Sequence, residues 1–382
     1  MKVLGLVVEY NPFHNGHLYQ IQQMDKLFGE NIKIAVMSGD YVQRGEPAII
    51  NKFDRADLAI KSGIDIVIEL PCFYSTQSAE LFASSAVRIL NKFACDFLVF
   101  GSESSDIEKL KSIANILQEK NTQNLIKNNI KNGMSYASAC FQILGDKLLS
   151  NDILAVEYIK AINYYKLNIK PYCIKRISSN YYDETYNMDN ISSASYIRKN
   201  ILSKKDFKDL VPEETYHTIM KNNLASIEIF FDLIRYKIIN DRDCISKILD
   251  VEVGLENRIY KNILEHKDYK KFFDATINPR ITVGRLQRIL MHTLLDIKKE
   301  HQIYIQNNIP FIKIISFNEK GKKYLNKIKK TDAYNDINVI STKRNIKKTL
   351  KDEDLYFFEL NEKASEIYKI KSYYDKKYII GK

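Results

Sequence analysis

The apolar positions of this chain change their period about halfway along it. Over the first two hundred residues, short continuous apolar runs at 3–8, 32–37, 64–70 and 97–100 alternate with stretches at 52–61, 78–91 and 106–118, in which apolar residues recur every three or four positions. The runs have the length and composition of strands buried on both faces, and the spaced stretches read as amphipathic helices. Strand alternating with helix predicts a parallel, doubly wound α/β sheet. Helical spacing continues over about 123–165, a fifth strand is expected at 171–176, and Ser192 or Ser193 is placed to cap a helix that runs to Ile201. Beyond Pro212 the spacing is mostly helical, at 227–239, 283–295 and 355–373, interrupted by a strand-like pair at 311–317 and 337–341. The pattern predicts a doubly wound domain over residues 1–205 and a mostly helical region over 206–382.

In sheets of this kind ligands bind beyond the carboxyl ends of the strands, so the turns at 9–16, 38–45 and 101–103 carry the candidate chemistry. The first holds His14-Asn15-Gly16-His17, directly after the first strand and opening an amphipathic helix with Leu18, Ile21, Met24 and Leu27 on one face. Imidazole N–H groups at a helix N-terminus can donate to phosphates, and the helix dipole favours the same negative charge. A bare His-x-x-His is more often a capped turn, but the strand before it and the helix after it favour a nucleotide site. In the second turn, Ser38-Gly39-Asp40 with Gln43-Arg44-Gly45 reads either as a flexible loop that closes a carboxylate and a guanidinium over the site or as a polar surface loop. Gly101 leaves room for a purine or ribose, or is a plain turn glycine. Asn151 is an N-cap or a reader of an adenine edge. Arg176, at a strand end, and Arg198, in a capped first turn, are placed to neutralise phosphate charge.

Composition narrows the class. With 382 residues two domains are the default, and 45% hydrophobic residues with a mean hydropathy of -0.31 are ordinary for a soluble protein. The apolar runs are too short to span a bilayer and the N-terminus lacks a signal-peptide pattern, so a cytoplasmic location is expected. Cys72, Cys95, Cys140, Cys173 and Cys244 are odd in number and widely spaced, which predicts buried, reduced thiols and neither a disulfide framework nor a protein-held metal. Charge is uneven: residues 1–200 hold 22 Lys and Arg against 21 Asp and Glu, whereas residues 201–382 hold 36 against 26. Within 301–350, eleven basic residues face three acidic ones, with Tyr324 and Tyr334 among or near the lysines. A basic surface beside a nucleotide site suggests a polyanionic substrate, although lysine-rich helices are often only solvated faces.

The segments VVEYNPFHNGH, SGDYVQRGEPAIINK, IELPCFYSTQSAELFA, FGSE, NDILAVEYIKA, IKRI and SSASYIRK occur in an order that resembles the bacterial tRNA(Met) cytidine acetate ligases, a branch of the HxGH nucleotidyltransferases. PRITVGRLQRILMHTLL is similar to that family's later helical arginine segment. The resemblance implies a Rossmann-like nucleotidyltransferase domain and a basic helical tRNA-binding region. It implies that ATP and acetate form acetyl-adenylate, whose acetyl group passes to the N4 amine of the wobble cytidine in elongator tRNA(Met). ATP would then contact Val7, Val8, Glu9, Tyr10, Asn11, Pro12, Phe13, His14, Asn15, Gly16, His17, Leu18, Tyr19 and Gln20, together with Gly101, Asn151, Arg176 and Ile177. His14, His17 and Asp40 are the expected catalytic residues, Mg2+ is expected on the phosphates, and Arg285 and Arg288, three apart on a helix, are the expected tRNA contacts unless they make structural ion pairs. From the residues alone two other readings stay open: an adenylyltransferase acting on a phosphorylated small molecule, and a non-catalytic RNA-binding protein that keeps a nucleotide site.

Overall fold

The computed structural model describes residues 1–131, 134, 136–145, 148–176, 190–278, 281–331, 334, 336–341 and 346–373. The elements used below are β1 (Lys2–Val8), α1 (Asn15–Phe28), β2 (Asn31–Ser38), α2 (Lys52–Lys61), β3 (Ile66–Leu70), α3 (Ala79–Lys92), β4 (Phe97–Ser102), α4 (Ile107–Gln118), α5 (Ser150–Tyr164), β5 (Lys170–Lys175), α6 (Ala194–Leu202), α7 (Ile227–Asn240), α8 (Val283–Leu295), β6 (Ile312–Phe317), α9 (Glu319–Ile328), β7 (Val339–Ile340) and α10 (Asp352–Lys371). The strand order is β5-β4-β1-β2-β3-β6-β7. The first five strands are mutually parallel, as the continuous apolar runs require. Strand order reverses between β1 and β4, and this opens a crevice at their carboxyl ends.

Residues of β1 divide between the two faces. Leu4 and Leu6 pack with Ile21 and Met24 of α1 and Ala56 and Ala59 of α2, while Val3 joins the larger core built on α3, α4 and α5. That larger core does not stop at residue 205. It continues through Phe230 and Phe231 of α7, Leu286 and Ile289 of α8, Phe311, and Phe357 and Phe358 of α10.

The strand-like pair expected in the second half is present, and its position was not foreseen. Strand β6 adds antiparallel to β3 at the edge of the first sheet, and β7 follows it in parallel. Both halves therefore build one sheet. The lysine-rich segment is α9, and its entry lies against the amino ends of β2 and β3: Lys320 donates to the Asn31 carbonyl, and Asn318 Nδ2 donates to Asp65 Oδ1 at 2.9 Å. This is the end of the sheet opposite the crevice, so the expected basic surface beside a nucleotide site does not include α9.

The 38–45 turn is neither the flexible closing loop nor the polar surface loop that its sequence suggests. Tyr41–Val42 and Glu46–Pro47 form a small buried hairpin. Its Gly45 has φ of +77°, and a Cβ there would sit 2.3 Å from the Arg288 backbone nitrogen, so the turn is pressed directly on α8. Tyr41 Oη donates to the Ala364 carbonyl of α10 at 3.1 Å. Of the five thiols, those of Cys72, Cys95 and Cys140 are buried as expected, whereas Cys173 and Cys244 are half-buried; all are unpaired. Among the described residues no helix is long and apolar enough to cross a membrane.

A buried charge cluster ties the halves together. Lys52 Nζ lies 2.6 Å from Glu69 Oε1, 3.3 Å from Asp40 Oδ2 and 2.7 Å from Ser365 Oγ, and Glu69 Oε2 lies 3.3 Å from Lys313 Nζ of β6. Burial opposes the charge on Lys52, but Asp40, Glu69 and Glu362 outweigh it and raise the ammonium pKa above the usual lysine range. Removing one partner of such a cluster leaves the others buried and uncompensated. Lys52→Met is expected to lower the unfolding free energy by about 3–5 kcal/mol. Urea denaturation checks this, and a loss below about 1 kcal/mol would contradict it.

Candidate active site

The crevice between β1 and β4 holds a cavity of about 730 Å³. Two helix N-termini converge on it, those of α1 and α6, through His14, Gly16 and His17 on one side and Ser192 and Ser193 on the other. Asn15 joins the two: its Nδ2 donates to the carbonyls of Asn190 at 3.0 Å and Asp209 at 2.8 Å. Ser193, one of the two expected caps, accepts the Tyr196 N–H. First-turn N–H groups and the dipoles of both helices favour an anion there.

The two histidines form a capping box. His14 Nδ1 accepts the Gly16 N–H at 3.1 Å, and His17 Nδ1 accepts the His14 N–H at 3.2 Å. With each Nδ1 used as an acceptor, the proton of each neutral ring belongs on Nε2, which leaves one N–H donor per ring. The rings stack with centroids 3.7 Å apart, and Tyr10 and Phe13 pack against His17 at 4.9 and 5.6 Å. Burial, with Arg176 next, lowers the His14 pKa to about 3. Burial, the His14 ring and Arg176 hold His17 well below the usual imidazole range. Burial thus favours the neutral form of both rings. Space at Gly16 is tight, because a Cβ would lie 3.0 Å from His14 Cε1 and 3.1 Å from its Nδ1 and would press on that ring.

The opposite wall is a chain of contacts at the ends of β4 and β5. Arg176 Nη1 donates to Asn151 Oδ1 at 3.1 Å, and Asn151 Nδ2 donates to Glu103. Glu103 Oε2 also accepts the Asp152 N–H at 3.0 Å in the first turn of α5, and Asp152 returns the contact by accepting the Glu103 N–H at 3.1 Å. Gly101 lies beneath Arg176, where a Cβ would approach its Cγ to 3.0 Å.

Of the expected ATP residues, His14, Gly16, His17, Tyr19, Gln20, Gly101 and Arg176 line the cavity, and Asn151 reaches it through Arg176 and Glu103. Val7, Val8, Glu9, Tyr10, Asn11, Pro12, Phe13, Asn15 and Leu18 stand behind that lining. Ile177 lies outside the described residues. Glu9 accepts the Gln43 N–H at 2.9 Å, and burial raises its carboxyl pKa against the pull of Arg198, Arg44 and Arg55.

Four expected site residues are placed elsewhere. Asp40 sits in the buried cluster around Lys52, where its Oδ1 accepts the Lys52 N–H at 3.1 Å. Arg198 turns away from the cavity to donate to the Asn11 carbonyl at 2.8 Å. Arg285 makes the structural pair, 2.6 Å from Glu252 Oε1 and 2.8 Å from the Asp250 carbonyl. Its neighbour Arg288 is held under the Gly45 turn, where burial lowers its pKa. Sequence reasoning assigned no role to Glu103, Leu149, Lys175 or Tyr196, all on the cavity wall. Glu103 carried a signal, an acidic residue two positions after the strand-end glycine.

A parallel sheet with a reversal beside β1, a neutral histidine pair at a helix start and a second helix N-terminus opposite define a nucleotidyltransferase of the HxGH class. Residues 1–379 match the family described as HIGH Nucleotidyl Transferase. A tRNA(Met) cytidine acetate ligase from Fusobacterium nucleatum is 48% identical over 97% of this chain and 96% of its own length. One from Caldicellulosiruptor saccharolyticus is 40% identical over 87% and 86%. The crystal structure of Thermotoga maritima TmcAL bound with alpha-thio ATP superposes with a TM-score of 0.86 at 32% identity, over 97% of this chain and 94% of that one. The chain belongs to the tRNA(Met) cytidine acetate ligase family of HIGH nucleotidyltransferases.

Two outcomes follow from the histidine geometry. Nitrogen-15 spectra of labelled histidine at pH 6 are expected to show His14 and His17 neutral with Nε2 protonated, and a charged ring at that pH would refute the assignment. Since the unfolded imidazole titrates near 6.5 and folded His14 at about 3, the unfolded chain binds the extra proton between those values. The stability this burial allows is therefore present above about pH 6.5 and lost as pH falls toward 3. Separately, Gly16→Ala is expected to keep the fold by circular dichroism and weaken ATP binding about tenfold by displacing the His14 ring, as read by calorimetry.

Proposed function

We propose that this chain is an ATP-dependent tRNA(Met) cytidine acetate ligase working through an acyl-adenylate. The observation that carries the reading is the convergence of two helix N-termini and two Nε2–H donors on one cavity at the switch point, beside Arg176. The relatives that match along nearly the whole chain carry that enzyme name, and the Thermotoga maritima protein holds an ATP analogue.

The first step needs no base. Acetate is ionised near neutral pH, so its oxygen attacks the α-phosphorus of ATP, the bond to the bridging oxygen breaks, and pyrophosphate leaves with the electron pair. The site's task is to align the carboxylate and to hold the charge that builds on the departing phosphates. His14 and His17 suit it as fixed donors at the start of α1, and Arg176 supplies the positive charge. In the second step the cytidine N4 nitrogen attacks the acetyl carbonyl, AMP leaves, and the amine proton is lost as the amide forms.

Among the described residues no group of three or more His, Cys, Asp or Glu is arranged to hold a metal. Among the described residues Glu103 is the one carboxylate on the cavity wall, and it is engaged by the start of α5 and by Asn151. Mg2+ would be carried by the nucleotide phosphates, and no step above is assigned to it.

The test supplies labelled acetate, ATP and unmodified elongator tRNA(Met). Label is expected on the wobble cytidine, with AMP and pyrophosphate released; consumption of ATP that ignores tRNA and needs a phosphorylated metabolite would favour the adenylyltransferase reading. His17→Ala is expected to stay folded and to lower acetate-dependent pyrophosphate release on the order of a hundredfold or more. A folded variant with near-normal release would remove His17 from the chemistry.

A further inference from the structure

One part of the cavity is not absorbed by the binding of a nucleotide triphosphate. At its mouth stand two large apolar side chains, Tyr196 and Leu149, each 53% exposed. They come from different elements, Tyr196 from the first turn of α6 and Leu149 from the position just before α5. An aromatic side chain left open to water beside a nucleotide-sized cavity is the type of surface on which a nucleobase stacks.

Two bases compete for that role, the adenine of ATP and the cytidine of the RNA, and position separates them. Tyr196 follows the Ser193 cap by three residues and so stands at the α6 N-terminus. Ile191 holds that terminus against α1: its Cγ2 lies 3.6 Å from where a Gly16 Cβ would be. These are the two helix starts that favour phosphate. The opposite wall is at Gly101 and Asn151, where the Arg176 side chain lies over Gly101 and the Asn151 amide is held between Arg176 and Glu103. Tyr196 is thus at the end where the phosphates and the new anhydride lie. Charge around it favours a polyanion: exposed Lys175 and Arg176 share the cavity wall, and exposed Lys199 follows Tyr196 by one helical turn on the same face.

We propose that Tyr196 is the stacking platform for the wobble cytidine, holding the base out of the anticodon stack with its N4 amine toward the acetyl-adenylate. The proposal rests on the acetate ligase reading, and the two fail in different ways. Lys199 steers the neighbouring RNA phosphate, Arg176 stays with the phosphates of ATP, and Tyr196 takes no part in forming the adenylate.

The experiment uses the full-length protein with Tyr196→Ala and Tyr196→Phe, and measures two partial reactions. Acetate-dependent exchange of labelled pyrophosphate into ATP, without tRNA, reports the first step. Acetylation of unmodified elongator tRNA(Met) at saturating ATP and acetate reports the second. Tyr196→Ala is expected to leave exchange within about twofold and to raise the tRNA KM about tenfold or more, and Tyr196→Phe, which keeps the ring, is expected to restore it. An Ala variant that loses ATP exchange in proportion to tRNA acetylation would assign the ring to the nucleotide or the fold and overturn the proposal. So would an Ala variant unchanged in both reactions. A wild-type protein that exchanges pyrophosphate but never acetylates tRNA would overturn the acetate ligase reading itself, and the stacking role with it.

Discussion

The guanidinium of Arg55 is the contact on which the site's geometry depends. It is fully buried on α2 and donates to four carbonyls: Ile50 at 3.1 Å, Glu9 at 2.6 Å, Ser38 at 3.0 Å, and Gly39. Three of those carbonyls lie at the ends of β1 and β2 or just beyond them, and that of Ile50 lies just before the α2 cap, all places where buried oxygens need donors. Arginine has enough N–H groups in one plane to serve them together. With the end of β1 held, the 10–14 turn is fixed at its start, and the His14 ring is presented at the mouth of α1. Tyr10 takes a left-handed backbone there, φ 48°, which a buried aromatic residue adopts only when its surroundings enforce it.

Neutral histidines in an anion site have a chemical advantage over charged ones. An imidazolium in place of each ring would bind substrate triphosphate more tightly, and it would also retain pyrophosphate. A neutral Nε2–H contributes direction as well as attraction, because the capping box fixes each ring plane before ATP arrives. Burial, which removes the charge, and the two Nδ1 acceptor bonds, which set the tautomer, come from the same short tetrapeptide.

Strands β1 to β4 were legible because a strand covered on both faces must be a nearly unbroken apolar run, whereas β5, KPYCIK at the sheet edge, was marked only by its short apolar centre. His14, Gly16, His17, Gly101, Asn151 and Arg176 were legible because each lies within a few residues of a strand or helix end. What the sequence could not convey was lateral direction. Asp40 and Arg198 also lie at element ends, yet one turns into the Lys52 cluster and the other onto the Asn11 carbonyl. A charged side chain at a strand terminus can face either side, and a partner more than a hundred positions away, such as Asn11 for Arg198, decides which. Pairing had the same limit. The apolar runs at β6 and β7 were visible, but nothing local to them named β3 as neighbour, and the placement of α9 at the far end of the sheet follows from that pairing. Tyr196 was hidden because an exposed aromatic on a short helix looks like any surface residue until the cavity beside it is seen.

The antiparallel seating of β6 on β3 also bears on how such a protein is inherited. A chain cut after residue 205 would keep every residue of the nucleotide cavity and still lose the strand that covers β3, leaving five fully buried residues with a bare row of backbone donors and acceptors. Glu69 in the middle of that strand would lose Lys313 at the same time. The first half thus relies on the second to cover this edge of its sheet. Any exchange of the second half for another domain would have to bring a matching edge strand and its lysine along.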